Sequence, residues 1–154
     1  MPDKEIRTIL APLTNGHVLL PNSAVAEIMN FASPEPFKQA PAWLLGELAW
    51  HGWQVPVICF DQLVGNRDRP TITPKTRILI IKTLGESTQL NYIGLLTHGL
   101  PRLKKVTAKT LVEEKADDLH KILFSKVTID DLQAVIPELG ELTHVVEQAA
   151  YGNT

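Results

Sequence analysis

Side chains able to do covalent chemistry are few and scattered in this chain. Cys59 is its single thiol, and its histidines are His17, His51, His98, His120 and His144. Cys59 with His51 or His98 would be a nucleophile and its base. Nothing near Cys59 in sequence would stabilise a thiolate, however, and a cysteine in an apolar strand ordinarily serves as a small buried hydrophobe. No histidine pair has the H-x-x-H or H-x-x-x-H spacing of a helical metal site, and there is no second cysteine, so neither a metal set nor a cofactor motif is expected. His51 and His98 each precede a glycine, which suits turn positions. What the chain does concentrate is tryptophan, at Trp43, Trp50 and Trp53. Indole rings offer large apolar contact area with one N–H donor, which is the chemistry of binding.

Two of those tryptophans flank the strongest local signal in the sequence. The extended runs Gly46–Trp50 and Trp53–Cys59 are separated by His51-Gly52 alone, and an X-Gly link of two residues marks a hairpin because glycine takes the positive φ of a primed turn. Trp50 and Trp53 are therefore expected opposite each other. Trp53, Val55, Val57 and Cys59 alternate, so they are expected to share one inward face. Pro56 inside the second run lacks an N–H, so its position is expected at a sheet edge or unpaired.

Around the hairpin the chain reads as short strands and turns. Ile6–Leu13 is a strand, Thr14-Asn15-Gly16 a turn and His17–Pro21 a second strand. Asn22–Asn30 has helix-like spacing at Val25, Ile28 and Met29 after a possible cap, and reads as a single helical turn. Residues 31–42 carry three prolines and read as an extended connector. Phe60–Val64 reads as one helical turn closed by Gly65, and the polar, proline-broken 66–75 as an internal boundary. The apolar run at Ile78-Leu79-Ile80-Ile81 is that of a strand buried on both faces. Gly85–Ser87 is expected to turn the chain into a return strand, Gln89–Thr97, followed by a turn at His98-Gly99 and a short strand at Leu103–Val106. Residues 107–120 fit either a helix lined by Leu111, Lys115 and Leu119 or a loop. Ile122–Val127 and Leu132–Ile136 read as paired strands, with a capping-box helix at Thr128–Asp131 as the alternative for the second. After Pro137, Leu139, Leu142, Val145, Val146 and Ala149 share a helical face.

Composition narrows the class. The chain has 154 residues, 44% apolar and 21% charged, enough for one self-supporting core. A net charge of −2 argues against nucleic acid as the main partner. The lone cysteine fits a reducing compartment, the N-terminal Met-Pro-Asp-Lys-Glu-Ile-Arg has no apolar secretory region, and no apolar run reaches the ~20 residues of a membrane span, so a cytoplasmic location is expected. Arg102, Lys104, Lys105 and Lys109 form a basic run that reads as a solvated strand and loop, or as a contact to an acidic partner. Glu113, Glu114, Asp117 and Asp118 read as a solubilising loop.

The hairpin and three further segments, in order, resemble the CheW-like domain, the coupling adaptor of bacterial chemosensory arrays. Gly46-Glu-Leu-Ala-Trp-His-Gly52 and Val55-Pro-Val-Ile-Cys-Phe60 stand where that family has Gly-x-Ile-Asn-Leu-Arg-Gly and Val-Pro-Val-Ile-Asp-Leu. The lead-in Gln39–Gly46, Val25-Ala-Glu-Ile28 and Tyr92-Ile-Gly-Leu-Leu-Thr-His-Gly-Leu100 match further family segments. The resemblance covers residues 5–106 well and 120–148 loosely. It departs where the family has Asn, Arg, Asp, Arg and Asp: here Ala49, His51, Cys59, Asp61 and His98. A histidine cannot reproduce the guanidinium fork of that first Arg. These departures are similar to those of accessory adaptors governing type IV pili and twitching motility.

The resemblance implies an all-β fold of two packed five-stranded SH3-like barrels with a short C-terminal helix. It implies one domain over 1–154, with lobes near 14–66 and 76–150 sharing strand 5–13. The function implied is non-enzymatic: a scaffold coupling the tip of a methyl-accepting receptor to the regulatory domain of a chemosensory histidine kinase, without nucleic acid, membrane insertion or cofactor. Val25, Glu27, Trp50, His51, Trp53 and His98 are the expected partner-binding residues: Val25, Glu27, His51 and His98 stand at matched family positions, and Trp50 and Trp53 flank the turn. The alternatives are a general SH3-like protein-binding module unrelated to receptors, and a small thiol enzyme using Cys59.

Overall fold

Alternating apolar residues, broken every few positions by Gly, Pro and Asn, produce eleven strands among the described residues, with two α-helices and one 3-10 turn. The computed structural model describes residues 4–66, 68–84, 89–114 and 119–152. The strands are β1 (Ile6–Leu13), β2 (Gly16–Pro21), β3 (Val25–Asn30), β4 (Leu44–Trp50), β5 (Trp53–Ile58), β6 (Arg77–Lys82), β7 (Tyr92–Thr97), β8 (Arg102–Val106), β9 (Leu111–Glu114), β10 (Leu123–Ile129) and β11 (Leu132–Pro137). The helices are α1 (Phe60–Leu63) and α2 (Leu139–Tyr151). The turn expected at Gly85–Ser87, and Lys115, Asp117 and Asp118, lie outside the described residues.

The strands form two sheets. One is six-stranded, in the order β8-β1-β2-β11-β10-β9, and the other five-stranded, in the order β3-β6-β7-β5-β4. Only one sheet thus has the expected five strands. The sixth strand of the other is β9, in the segment that read as helix or loop. It is a charged edge strand, Leu-Val-Glu-Glu, without the apolar alternation of the others. Glu113 and Glu114 accept hydrogen bonds from Ser125 Oγ (3.1 Å) and Thr128 Oγ1 (2.7 Å) of β10, and charged edges discourage further pairing. The division at 66–75 does not follow the sheets either. β6 and β7 pair with β3 and β5, while β2 pairs with β1 and β11.

Two local readings are corrected. Only Asn22–Ala24 forms a helical turn, a 3-10 one, and Val25–Asn30 is a strand paired with β6. Val25, Ile28 and Met29 fit both periods over so short a stretch, and β6 supplied the missing hydrogen bonds. At the other end, Asp130 (φ 48°) and Asp131 (φ 66°) make a two-residue hairpin turn between β10 and β11, which excludes a helix there. Pro56 is not on an edge, since β5 lies between β7 and β4. Its missing N–H is tolerated because the facing Glu47 exchanges both backbone hydrogen bonds with Glu35 (2.9 and 3.0 Å), and pairing with β7 begins only at Val57.

Three apolar clusters hold the sheets together. The first takes Ile9, Ala11, Val18 and Leu20 from one sheet, Ile58, Leu79, Ile81 and Leu95 from the other, and Leu142 and Val146 from α2. The second belongs to the six-stranded sheet alone (Leu10, Leu19, Val127, Ile129) and the third to the five-stranded sheet alone (Val55, Val57, Ile78, Ile80, Leu96). Each sheet therefore buries both faces, which is why Ile78–Ile81 is an unbroken apolar run. Glu138 caps α2, accepting from the N–H groups of Gly140 (3.2 Å) and Glu141 (2.8 Å).

Candidate partner-binding site

The hairpin forms as its turn residues dictate. His51 (φ 46°) and Gly52 (φ 83°) are both left-handed, and Trp50 pairs directly with Trp53. The two indoles then diverge in environment. Trp50 is half-buried against the third cluster, whereas Trp53 is 43% exposed. The inward face expected for Trp53, Val55, Val57 and Cys59 thus holds for the last three and fails for Trp53. The reason is reach: the hairpin end projects beyond the β5–β7 pairing, which starts at Val57, so Trp53 meets the Tyr92 ring at one edge and keeps much of its surface exposed.

Strand β3 brings in the carboxylate. Trp50 Nε1 donates to Glu27 Oε2 at 3.1 Å, and His51 Nε2 lies 3.5 Å from Glu27 Oε1. Both oxygens of Glu27 are thereby engaged by hairpin residues. The His51 ring stands edge-on to Trp50 with centroids 4.8 Å apart. Tyr92, at the start of β7, packs edge-to-face on Trp50 (4.7 Å) and on Trp53 (5.5 Å). Tyr92 was not among the sequence-derived site residues. Its place beside the tryptophans depends on the parallel register of β5 and β7, for which the sequence has no local marker.

Glu27, Trp50, His51 and Trp53 therefore come together, but Val25 and His98 do not join them. A bulge between Val25 and Glu27 shifts the register on β6, so Val25 packs against the inter-sheet core while Glu27 faces the hairpin. His98 lies past the far end of β7 from Tyr92, about 20 Å away at ~3.3 Å per residue. Its N–H donates to the Pro12 carbonyl (2.8 Å), which ties the end of β7 to β1. Trp43 packs against the inter-sheet core, and its carbonyl accepts from the Cys59 N–H (2.8 Å).

Cys59 is structural. Burial pushes its thiol pKa up; a backbone hydrogen bond from Gln62 opposes this, the Asp61 carboxylate adds to it, and a backbone hydrogen bond from Asp61 is the smallest opposing effect. The void it shares with His98 is about 10 Å³, too small for a substrate. Asp61 is also buried and accepts from the Thr14 N–H (2.8 Å), so this acid anchors the β1–β2 turn to α1. Among the described residues no group of three or more His, Cys, Asp or Glu could hold a metal ion. No helix among them is long and apolar enough to cross a membrane. The hairpin surface can bind by aromatic contact and through a carboxylate–imidazole pair, and it carries no nucleophile.

Residues 7–147 match the family model described as CheW-like domain. The structure is similar to that of the scaffolding protein TtCheW from Thermoanaerobacter tengcongensis, with a TM-score of 0.75 and 18% sequence identity, covering 92% of this chain and 89% of that one. No curated protein sequence matches the chain. The matched family is one of scaffolds and not of enzymes.

Proposed function

This chain belongs to the CheW-like domain family, and we propose that it is a cytoplasmic coupling adaptor, joining the tip of a methyl-accepting receptor to the regulatory domain of a chemosensory histidine kinase. Its action is binding and relay, with no bond made or broken. The observation that carries this reading is the cluster at the hairpin. Trp53 is exposed beside an aromatic and carboxylate framework that fixes its surroundings, which is the arrangement of an interface anchor. Glu27 and His51 remain accessible at its rim. Val25, in the inner layer, supports the strand that presents Glu27.

The departures at His51, Cys59 and His98 set this chain apart from the common family pattern. They favour a divergent branch, such as the adaptors that serve type IV pili and twitching motility. Deleting the gene and scoring swimming against twitching separates the two pathways.

Calorimetric titration against a receptor-tip fragment and a kinase regulatory-domain fragment tests the adaptor reading. Trp53→Ala is expected to weaken binding by about 2 kcal/mol, while a rim change such as His51→Ala costs less than about 1 kcal/mol. The thermal midpoint should stay near that of the parent, because Trp53 contributes little to the core. Unaltered affinity in a Trp53→Ala, His51→Ala double variant overturns the hairpin surface. Absence of binding to both fragments overturns the adaptor reading and leaves a general protein-binding module.

A further inference from the structure

The basic run at the start of β8 does not belong to the hairpin surface. It contributes to a groove of about 640 Å³ at the other end of the β6–β7 pair, where Lys75, Arg77, Arg102 and Lys104 surround a floor that includes Leu10, Pro12 and Leu132. Arg102 and Lys104 are two positions apart on β8 and so face the same way. Arg77 begins β6, and one terminal nitrogen of its guanidinium donates to the carbonyls of Pro74 (2.9 Å) and Thr76 (3.0 Å). That anchors the group and leaves its other N–H donors for a ligand. Lys104 holds Asp130 at 2.7 Å. The side chains of Lys75 and Arg102 are exposed and form no ion pair among the described residues.

Four cations round one groove depart from the charge of the chain as a whole, which is −2. The groove is concave and its floor is apolar, with Leu132 38% exposed and Leu100 at its lip 61% exposed. A bilayer is flat, and duplex nucleic acid needs a broad basic footprint that an acidic protein lacks. We propose that this groove binds an extended acidic segment of a partner protein, with Asp or Glu side chains on the cationic rim and an apolar side chain on the leucine floor. Arg102 and Arg77 offer forked donors suited to carboxylates. Arg77 pairs with Thr97 and Lys82 with Tyr92, so the groove lies about 17 Å along the sheet from the hairpin cluster, at ~3.3 Å per residue. One adaptor can therefore hold this segment and a hairpin partner at once.

The test is fluorescence anisotropy with the whole chain and a short labelled peptide of Asp and Glu carrying two leucines. Binding is expected, and it weakens as salt rises. Lys75→Glu with Arg102→Glu should lower affinity on the order of tenfold or more, and Leu132→Ser by about threefold or more. Lys38→Glu with Lys121→Glu makes the same change in net charge away from the groove and should stay within about twofold. Thermal melts confirm that each variant is folded. Trp53→Ala should bind the peptide as the parent does, so failure of the groove and failure of the hairpin surface give different patterns. Three results overturn the proposal: no peptide binding, equal loss in the two charge-reversed pairs, or equal affinity for a peptide with serines in place of the leucines. Tighter binding of anionic vesicles or duplex DNA through Lys75 and Arg102 overturns the assigned partner.

Discussion

Glu27 and Trp50 sit on the two opposite edge strands of the five-stranded sheet, yet Trp50 Nε1 donates to Glu27 Oε2 at 3.1 Å. The sheet is rolled until its edges meet, and this bond, with the His51 contact to the same carboxylate, ties β3 to β4 across the mouth of the roll. The half-buried indole rests on Tyr92 beneath. One pair thus closes a small barrel and frames the surface on which Trp53 stands.

If that bond closes the barrel, its two members are energetically coupled. Trp50→Phe keeps most of the ring but loses the donor, and Glu27→Ala leaves a half-buried N–H without its partner. Each should cost about 1 kcal/mol, and the double variant should fall short of the sum by ~0.5 kcal/mol or more. Urea denaturation of the four proteins in the cycle measures this. Strict additivity would show that the bond contributes nothing to closure.

Gly46 is predicted to tolerate no side chain. It has φ 151°, and an added Cβ would run into the Glu35 carbonyl and come within 3.0 Å of Pro34 Cβ. The contact is with backbone, in the stretch where Glu35 and Glu47 exchange hydrogen bonds. Gly46→Ala should therefore destabilise by about 2 kcal/mol or more and loosen the connector over β4. A thermal midpoint equal to the parent's would contradict the close approach.

Cys59 should behave as a core atom. Iodoacetamide at mild alkaline pH is expected to leave the native protein unmodified and to alkylate it readily in urea, because burial raises the thiol pKa and hides the sulfur. Cys59→Ala should cost roughly 1–2 kcal/mol and leave partner affinity unchanged. Rapid alkylation of the folded chain would reopen a thiol role.

Tyr151 predicts an alkaline weakness. Its Oη donates to Glu47 Oε2 at 2.8 Å, joining the end of α2 to β4. Burial first, then the bond to Glu47 and its negative charge, push the phenol pKa well above the ordinary value. The folded state thus keeps the proton at a pH where the unfolded chain, with a tyrosine pKa of ~10, gives it up. The stabilisation is complete below that unfolded value and declines as pH rises beyond it. Tyr151→Phe should flatten the fall in denaturation midpoint between about pH 9 and 11. An equally steep fall in the variant would assign the alkaline loss to other groups.

Local chemistry made much of this protein legible in its sequence. The hairpin is there in His51-Gly52, since positive φ at a two-residue link is a property of those residues and their neighbours. The doubly buried β6 is there in Ile78–Ile81, and the apolar face of α2 is there in its 3.6-residue spacing. The family resemblance rests on such segments in order. What only the tertiary structure decided is every relation that depends on register between distant strands. Val25–Asn30 became a strand because β6 accepted it, and a bulge there sent Val25 inward and Glu27 to Trp50. β9 formed because β10 offered an open edge and two hydroxyls. Tyr92 met the tryptophans, His98 was carried to the far end of β7, and four cations from β6, β8 and the segments beside them gathered on one groove. Turn geometry and periodicity are set within a few residues. Sheet membership and closure are set by the collective burial of three apolar clusters, and no short segment carries that information.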